Sequence, residues 1–570
     1  MKNNTLYNVC KPATMKLPLL YSVLGLLIIL YLTEASISAQ EINKEVYVIR
    51  PYEPTLSDAE KFNFMPITED VNPVPPGFKY SINPVKLDNT FTPEPIKAAK
   101  TVATSVPKIY NSMLKVGLGN YSTPLVEFNI SNLHSKDISY GAYLYHKSSH
   151  GKIVLANEDK VPAYYAFNNI NIYGSKFFNK AALTGKLRYN NQALRYYGYN
   201  TEVFDDPALV NISSDSIKQA INIIGADAGI RSYGNDSSMI NYYFNAAFDY
   251  LFDRYGNNET GLIINTGAKK SFNGLVGGVD ITLDYSKPVT SVDSVANTVF
   301  KFHPYISKSS RDWKFNLGFE AVSDMADISH FYVYPRANLD IIIVDDVLVP
   351  FIGLTGYLEK NNYRSVLSEN LYVKPGTTIK NSSTNLQAYG GIKGSISSVI
   401  RFRADVTYKV IKNEHFFVTD TVNWQNMFVA VYDDIDLIVY HGQIVVQPVE
   451  KIELLIDGKY NKYNVYDQKK PWHKPDFTID VNLDYNITSK LFVQSGISIT
   501  GNRWAWNYTE PDLPVKFKPV ADINLKIKYN YSNVLGIFAD FHNMADRSYM
   551  IWNQYPSQRF NFLIGLTYKL

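Results

Sequence analysis

Histidine and carboxylate spacing is where this 570-residue chain would first betray chemistry. Nine histidines are scattered along it, and the one close pair is His146 and His150 in the run His-Lys-Ser-Ser-His. On an extended strand the two share a face, which outlines a metal site. No third ligand accompanies them, so a solvated rim explains the pair better, because specific sites need three or four donors. The acidic run Asp433-Asp434-Ile435-Asp436 and the pair Asp345-Asp346 would collect cations, yet an acidic turn between strands accounts for each without the six or so oxygens a hard cation takes. No Ser-His-Asp order, nucleotide loop or pair of catalytic carboxylates stands out. The residues point to no enzyme, no cofactor and no metal.

The remaining charges carry a different message, because they alternate. Arg401, Arg403 and Lys409, and again Lys526 and Lys528, fall at alternate positions of one face, with Asp405, Asp480 and Asp484 as counter-charges. They fit a selectivity ladder for anions, or simply the charged face of a wet lumen. Their partners on the other face are apolar: Ile400, Phe402, Ala404, Val406 and Tyr408 in one run, Ile523, Leu525, Ile527 and Tyr529 in another. Successive side chains on a strand point to opposite faces, so these are strands with one greasy and one polar side. The pattern recurs in 183–190, 313–321 and 477–485. Several runs reach about nine residues or more, the length a tilted strand needs to cross hydrocarbon. The chain ends on such a run, with Phe560, Phe562, Ile564, Leu566, Tyr568 and Leu570 on one face and Asn561, Leu563, Gly565, Thr567 and Lys569 on the other. That is the form of the closing, assembly-directing strand of an outer-membrane β-barrel.

The fold class expected is therefore all-β, a transmembrane antiparallel barrel over 112–570. Twenty-three periodic runs are countable, among them 426–433 and 436–447; single-chain bacterial barrels use even numbers, so about 22 strands are expected. The 44 Tyr, 30 Phe and 6 Trp, with clusters at Tyr196-Tyr197-Gly198-Tyr199, Tyr242-Tyr243 and Trp504-Ala505-Trp506-Asn507-Tyr508, suit interfacial girdles. The mean hydropathy of -0.17 is what alternating lipid and lumen faces average to. A formal charge of +3 leaves no basic footprint for nucleic acid.

Ahead of the barrel, Leu17 to Leu32 is apolar, preceded by Lys2, Lys11 and Lys16 and followed by Ala35-Ser36-Ile37-Ser38-Ala39. This is the layout of a secretory signal peptide over 1–39, with Met15 an alternative start. Sixteen helical residues rise only about 24 Å, short for a membrane anchor. The sole cysteine, Cys10, precedes the apolar block, so disulfide and thiolate chemistry are not expected after cleavage. Residues 40–111 hold ten of the 27 prolines and form an extended periplasmic or lumen-filling segment rather than barrel wall. A short helix between Ile96 and Lys115 is interrupted by Pro107.

The region Ile537-Phe538-Ala539-Asp540-Phe541-His542-Asn543-Met544-Ala545-Asp546-Arg547-Ser548-Tyr549, then Tyr555-Pro556-Ser557-Gln558-Arg559-Phe560, resembles the last two strands of TonB-dependent receptors. The carriers are Asn543, Asp546, Tyr549, Pro556 and Arg559. The resemblance implies a 22-stranded barrel of the cell outer membrane that imports a scarce ligand, with energy delivered by an inner-membrane protein to an N-terminal box. Glu45-Val46-Tyr47-Val48-Ile49 looks like such a box; an ordinary strand or lumen-lining segment is the competing explanation. Only about seventy residues precede the barrel, too few for the family's folded plug, which aligns the chain with plug-less, receptor-like barrels. A barrel this wide needs a filled lumen, and residues 40–111 with inward-folded outer loops are the expected filling. Implied partners are outer-membrane lipids, the barrel-assembly machinery, and an inner-membrane energy-coupling protein or a surface lipoprotein. Solute passage is the leading function; a non-transporting scaffold of an outer-membrane assembly or export complex is the alternative.

Overall fold

The computed structural model describes residues 110–570 apart from 133–134, 202, 205–214, 234–238, 291–293 and 422–424. The signal-like block, the box-like pentapeptide, most of the Pro-rich segment and the question of a folded plug lie outside the described residues. Of the helix expected over Ile96 to Lys115, the described end is strand from Ser112 onward.

Twenty-two strands follow in order: β1 (Ser112–Gly119), β2 (Thr123–Ser131), β3 (Ile138–Ser149), β4 (Tyr165–Phe177), β5 (Ala181–Arg195), β6 (Lys218–Ser232), β7 (Asn241–Asp253), β8 (Asn258–Phe272), β9 (Leu275–Val289), β10 (Asn297–Ser309), β11 (Trp313–Met325), β12 (Ser329–Ile341), β13 (Val349–Glu359), β14 (Ser382–Ser395), β15 (Ile400–Thr419), β16 (Phe428–Val449), β17 (Ile452–Val465), β18 (Phe477–Asn486), β19 (Leu491–Thr500), β20 (Val520–Asn530), β21 (Leu535–His542) and β22 (Asn561–Lys569). Each pairs antiparallel with the next, and β22 closes on β1 through the register Met113↔Lys569 to Gly119↔Leu563. The sheet is a closed barrel of outer-membrane type, and twenty-two of the expected runs correspond to its strands.

The surplus run came from splitting β16. It passes unbroken through Asp433-Asp434-Ile435-Asp436, so the acidic cluster is not a turn. An acidic run persists in a strand here because its carboxylates are occupied, Asp433 and Asp434 by backbone amides and Asp436 by the Tyr408 and Tyr466 hydroxyls. Asp433 accepts from the N–H groups of Tyr466, Asp467 and Gln468. Asp434 accepts from the N–H of Asn413, the residue at a bulge in β15 with φ 53°. Asp345 and Asp346, by contrast, do lie in a turn, between β12 and β13.

The side-chain alternation is realised as expected. Apolar positions such as Leu118, Leu187, Phe331, Ile352, Ile564 and Leu566 face outward and are exposed on the isolated chain, Phe331 to 71%. On β22 the other face packs inward at the seam, where Leu563 meets Leu125 and Phe538. Gly117 and Gly565 are paired there, and a Cβ on Gly565 would fall 2.0 Å from the Val116 carbonyl oxygen and 2.5 Å from the Phe538 ring. The glycines make room for that ring at the point of closure.

The two ends differ. At one end links are short, as in the two-residue turn Asn273-Gly274, both with positive φ (50° and 80°), the geometry whose twist matches a hairpin. At the other end are the long segments 150–164, 196–217, 360–381, 501–519 and 543–560. Short turns mark the periplasmic side and long loops the outer side of such barrels. β15 and β16, twenty and twenty-two residues long, extend toward the long-loop end well past their neighbours.

Leu566→Arg places a charge on the lipid face of the closing strand and is expected to cost about 2–4 kcal/mol near the bilayer midplane. The heat-modifiable, folded band on a cold gel should fall sharply for this variant and stay unchanged for the lumen-side control Lys526→Arg.

Candidate functional site

Three outer segments converge over the barrel mouth. They leave β5/β6, β13/β14 and β21/β22, positions eight, eight and six strands apart around the ring, so their meeting spans the opening rather than decorating one side. At the centre the Tyr197 ring lies 4.8 Å from Tyr555 and 6.0 Å from Tyr372, and Tyr372 and Tyr555 are 3.8 Å apart. Tyr197 donates its hydroxyl to the Pro556 carbonyl at 2.9 Å, and Tyr196 donates to Val373 at 3.3 Å. Asn426, from the β15/β16 loop, donates its amide to the Tyr196 carbonyl at 2.9 Å and accepts from the Tyr555 hydroxyl through its own carbonyl. Gly198 is forced by this approach, since a Cβ would sit 2.5 Å from the Gln554 carbonyl oxygen. Burial pushes the phenols of Tyr196, Tyr197 and Tyr555 far up and that of Tyr372 to about 12, so all four are neutral donors at any working pH.

This corrects the girdle assignment for two of the three aromatic clusters. Tyr196, Tyr197 and Tyr199 are at most 5% exposed inside the cap, and Trp504 and Trp506 pack on a second outer cluster around Phe416, Ile435 and Trp472. Only Tyr242 faces outward at a strand end; Tyr243 turns inward and donates to Asp280 at 2.8 Å.

A short helix, α1 (Tyr363–Glu369), ties the second arm down at both ends. Asn362 and Ser365 form a reciprocal capping box, which stops the helix from fraying. The Glu259 carboxylate on β8 accepts from the first two helical N–H groups, at 2.8 and 3.3 Å. The Tyr363 hydroxyl donates to Asp253 at 2.9 Å, and Arg364 pairs with Asp249, which also holds Arg188 at 2.9 Å. At the far end Glu369 meets His415 of β15 at 2.6 Å and Lys474 at 2.9 Å, and Lys474 reaches Glu414 at 3.6 Å. Burial alone would raise the Glu369 carboxyl; His415 and Lys474 overcome it and hold it at about 2. His473, beside this pair, is ringed by Phe428, Phe517 and Trp552, and neither ring nitrogen has a partner among the described residues. Burial, with Arg503 adding to it, lowers its pKa to about 3.

Beneath the cap the inward wall of β11–β17 carries charges that pair with one another. Arg336 meets Glu320 at 2.6 Å, Lys393 meets Asp340 at 2.8 Å, and Arg403 meets Asp405 at 2.7 Å. His441 bridges Asp405 and Asp457 at 3.0 Å each. A cavity of about 410 Å³ is bordered by His303, Arg336, Gln387, Tyr389 and Arg403. Arg401 reaches only Glu453, at 3.9 Å, and Asp480 accepts from Ser498. The wall over β11–β17 is thus mixed in sign and not a one-sign ladder, while Lys409, Lys526 and Lys528 make no ion pair among the described residues. His146 hydrogen-bonds Asn168 and Ser148, while His150 lies against Tyr164. No group of three metal-ligating side chains occurs among the described residues.

The residues that carried the family resemblance are brought together as a staple of the third arm. Asn543 donates to the carbonyls of Arg547 and Gln558 at 2.6 and 2.9 Å. Asp546 accepts from the Phe560 N–H at 2.9 Å and pairs with Arg559 at 3.6 Å. Tyr549 donates to Asp522 at 3.3 Å, and Pro556 supplies the carbonyl that Tyr197 uses. Sequence reasoning missed α1 and its anchors, although Asn362-x-x-Ser365 at the start of the 360–381 link was a usable capping signal.

No family model and no curated protein matches the sequence. Solved structures do match in fold. The ferric-catecholate import receptor Fiu from Escherichia coli K12 is 10% identical, with 81% of this chain and 82% of that one covered at a TM-score of 0.61. The siderophore receptor PirA from Acinetobacter baumannii is 11% identical over 82% and 81%, TM-score 0.62. The FrpB iron transporter from Neisseria meningitidis is 9% identical over 82% of each chain, TM-score 0.64. The chain has a TonB-dependent-receptor-like barrel.

The cap should loosen in acid. Glu369, held below its ordinary 4.5, stabilises the closed form above that pH and loses its contribution as pH falls from about 4.5 to about 2. His473, held near 3 rather than 6.5, refuses a proton that an opened cap would accept, so closure weakens as pH falls below 6.5. Amide hydrogen exchange in 360–381 and 543–560, corrected for intrinsic rate, should show protection at pH 7 that declines by pH 4. His473→Leu should defer the decline to the Glu369 range. Equal protection at both pH values contradicts this account.

Proposed function

We propose that the protein is an outer-membrane transport barrel that admits a ligand at its outer mouth when the cap is displaced and passes it along the charge-paired lumen wall. The observation that carries this is the cap: three arms meeting over the mouth of a receptor-like barrel leave displacement of those arms as the way in. The fold shared with import receptors supports the reading. Residues 1–39 act as the export signal, and 40–111 as the inner gate or filling; Glu45, Val46, Tyr47, Val48 and Ile49 are the segment an inner-membrane energy-coupling protein would grip. A second reading, a permanently closed scaffold subunit, draws on the same cap, because its core is aromatic, dry and pinned by ion pairs.

The two part on whether the cap must move. Tyr197→p-azidophenylalanine keeps the ring that lies 4.8 Å from Tyr555 and is expected to lock the first arm to the third on irradiation. Under the transport reading irradiated cells phenocopy a deletion strain, while the same cells kept in the dark retain function. Full complementation by the locked protein favours the scaffold. In planar bilayers the protein should stay closed, and removal of residues 40–107 together with Tyr555→Ala should open a wide, steady pore. A barrel still closed after both changes overturns the passage reading.

A further inference from the structure

Between the first and third arms of the cap lies a cavity of about 240 Å³, bordered by Tyr199, Gln425, Trp506, Tyr508, Asn553 and Gln554 among others. Its sixteen bordering residues among those described include five side-chain amides, two threonines and four aromatic rings, and no charged side chain. Charged residues are 19% of the chain, so a random set of sixteen would hold about three. The surrounding loops are not poor in charge: Lys374 pairs with Asp420 and Lys469 with Asp512, away from the cavity, and Asp159 stands behind the lining, where it accepts from the Tyr199 hydroxyl at 2.7 Å.

We infer that this cavity binds a neutral, polyhydroxylated ligand, the end of a saccharide. Each amide offers a donor and an acceptor side by side, the complement of adjacent hydroxyls. The amides are held in place and still have capacity. Asn553 donates to Thr419 at 3.2 Å and Gln425 accepts from Asn200 at 3.1 Å, while the Gln425 NH₂, the Asn553 carbonyl and the Gln554 Oε1 make no hydrogen bond among the described residues. Trp506 and Tyr508 stand ring to ring at 5.9 Å in a T arrangement, and Tyr508 is 49% exposed. Such ring faces suit the C–H faces of a sugar, an amphipathic match typical of sites with an apolar wall and a few placed polar groups. An anionic ligand, by contrast, would give up its hydration to a wall with no counter-charge among its described residues. The volume lies below the ~300–1,000 Å³ of sites that enclose a drug-sized ligand, so the cavity suits one terminus and not a whole chain.

The inference supplies a ligand class for the transport reading. It is tested on the purified full chain by saturation-transfer NMR and calorimetry with maltotriose, cellotriose, xylotriose, mannotriose and galactotriose, beside ferric citrate and a neutral tetrapeptide. At least one trisaccharide should bind, ferric citrate and the peptide should not, and Tyr508→Ala or Asn553→Ala should each weaken binding about tenfold or more. Both positions are at least partly exposed, and an unchanged heat-modifiable band confirms that the variants fold. Failure of every saccharide, binding insensitive to both variants, or competition won by ferric citrate or the peptide overturns the inference. Saccharide binding by a barrel whose locked cap complements fully would sink transport and leave this site standing. Lock-sensitive function with no saccharide binding would do the reverse.

Discussion

A strand in hydrocarbon has no water to satisfy its amides, and that constraint organises everything else in this molecule. It forbids an open edge, so β1 must find β22 across more than four hundred residues of chain, and it does so through seven paired positions. The seam is the most exacting place in the wall. Gly117 and Gly565 face one another there so that Phe538 can lie inside, with the Lys115 ammonium 4.1 Å from the centre of its ring. Once the ladder is closed, backbone hydrogen bonding is settled within the wall, and the connections are free to diverge, minimal at one end and elaborate at the other.

The elaborate end solves a second problem by different means. A mouth this wide is wet, and loops lying across it would leave their backbone groups to compete with water unless they build an interior of their own. They do so with rings. Tyr196, Tyr197, Tyr363, Phe417, Phe428 and Tyr555 are all at most 5% exposed, and their hydroxyls are spent on loop carbonyls and on Asp253. Each such bond contributes only about 0.5–1.5 kcal/mol net, but an unmet donor in the same place would cost more. The arrangement also needs walls to lean on. β15 and β16 provide one by continuing as a paired ribbon past the bulge at Asn413, and the upper ends of β7 and β8 provide the other through Asp249, Asp253 and Glu259.

The barrel was legible because lipid and lumen impose a period of two on every strand, a signal that survives residue by residue. It failed once, at Asp433-Asp434-Ile435-Asp436, where the strand has left the hydrocarbon and the lipid no longer dictates which side is apolar; amides from the 466–468 backbone took over that role. The cap was not legible for a related reason. Its contacts join Tyr197 to Pro556, 359 residues apart, and Asn426 to Tyr196, 230 apart, with no repeat to announce them. The tyrosine clusters were visible, but a ring at the end of a strand has the same signature whether it meets a headgroup or another loop. The closing-turn residues Asn543, Asp546 and Tyr549 were found by resemblance, and their hydrogen bonds show what such a motif does physically: it folds the third arm back over the mouth.

The amide-lined cavity and the cap are not independent features. Tyr199 belongs to the first arm, Asn553 and Gln554 to the third, and all three border the same space. A ligand seated there touches both arms at once, so its affinity depends on their separation. Linkage then runs both ways: a ligand that prefers the arms together tightens the cap, and one that prefers them apart opens it, each by no more than its difference in affinity for the two forms. Among the described residues the first arm meets the third through the Tyr197 hydroxyl, ring contacts and the tight fit of Gly198 against Gln554. The second arm carries the charged anchors Arg364, on Asp249, and Glu369, on His415 and Lys474. Motion driven by the ligand should therefore separate the first and third arms while α1 stays seated, which makes the line between Tyr197 and Pro556 the place where the mouth opens.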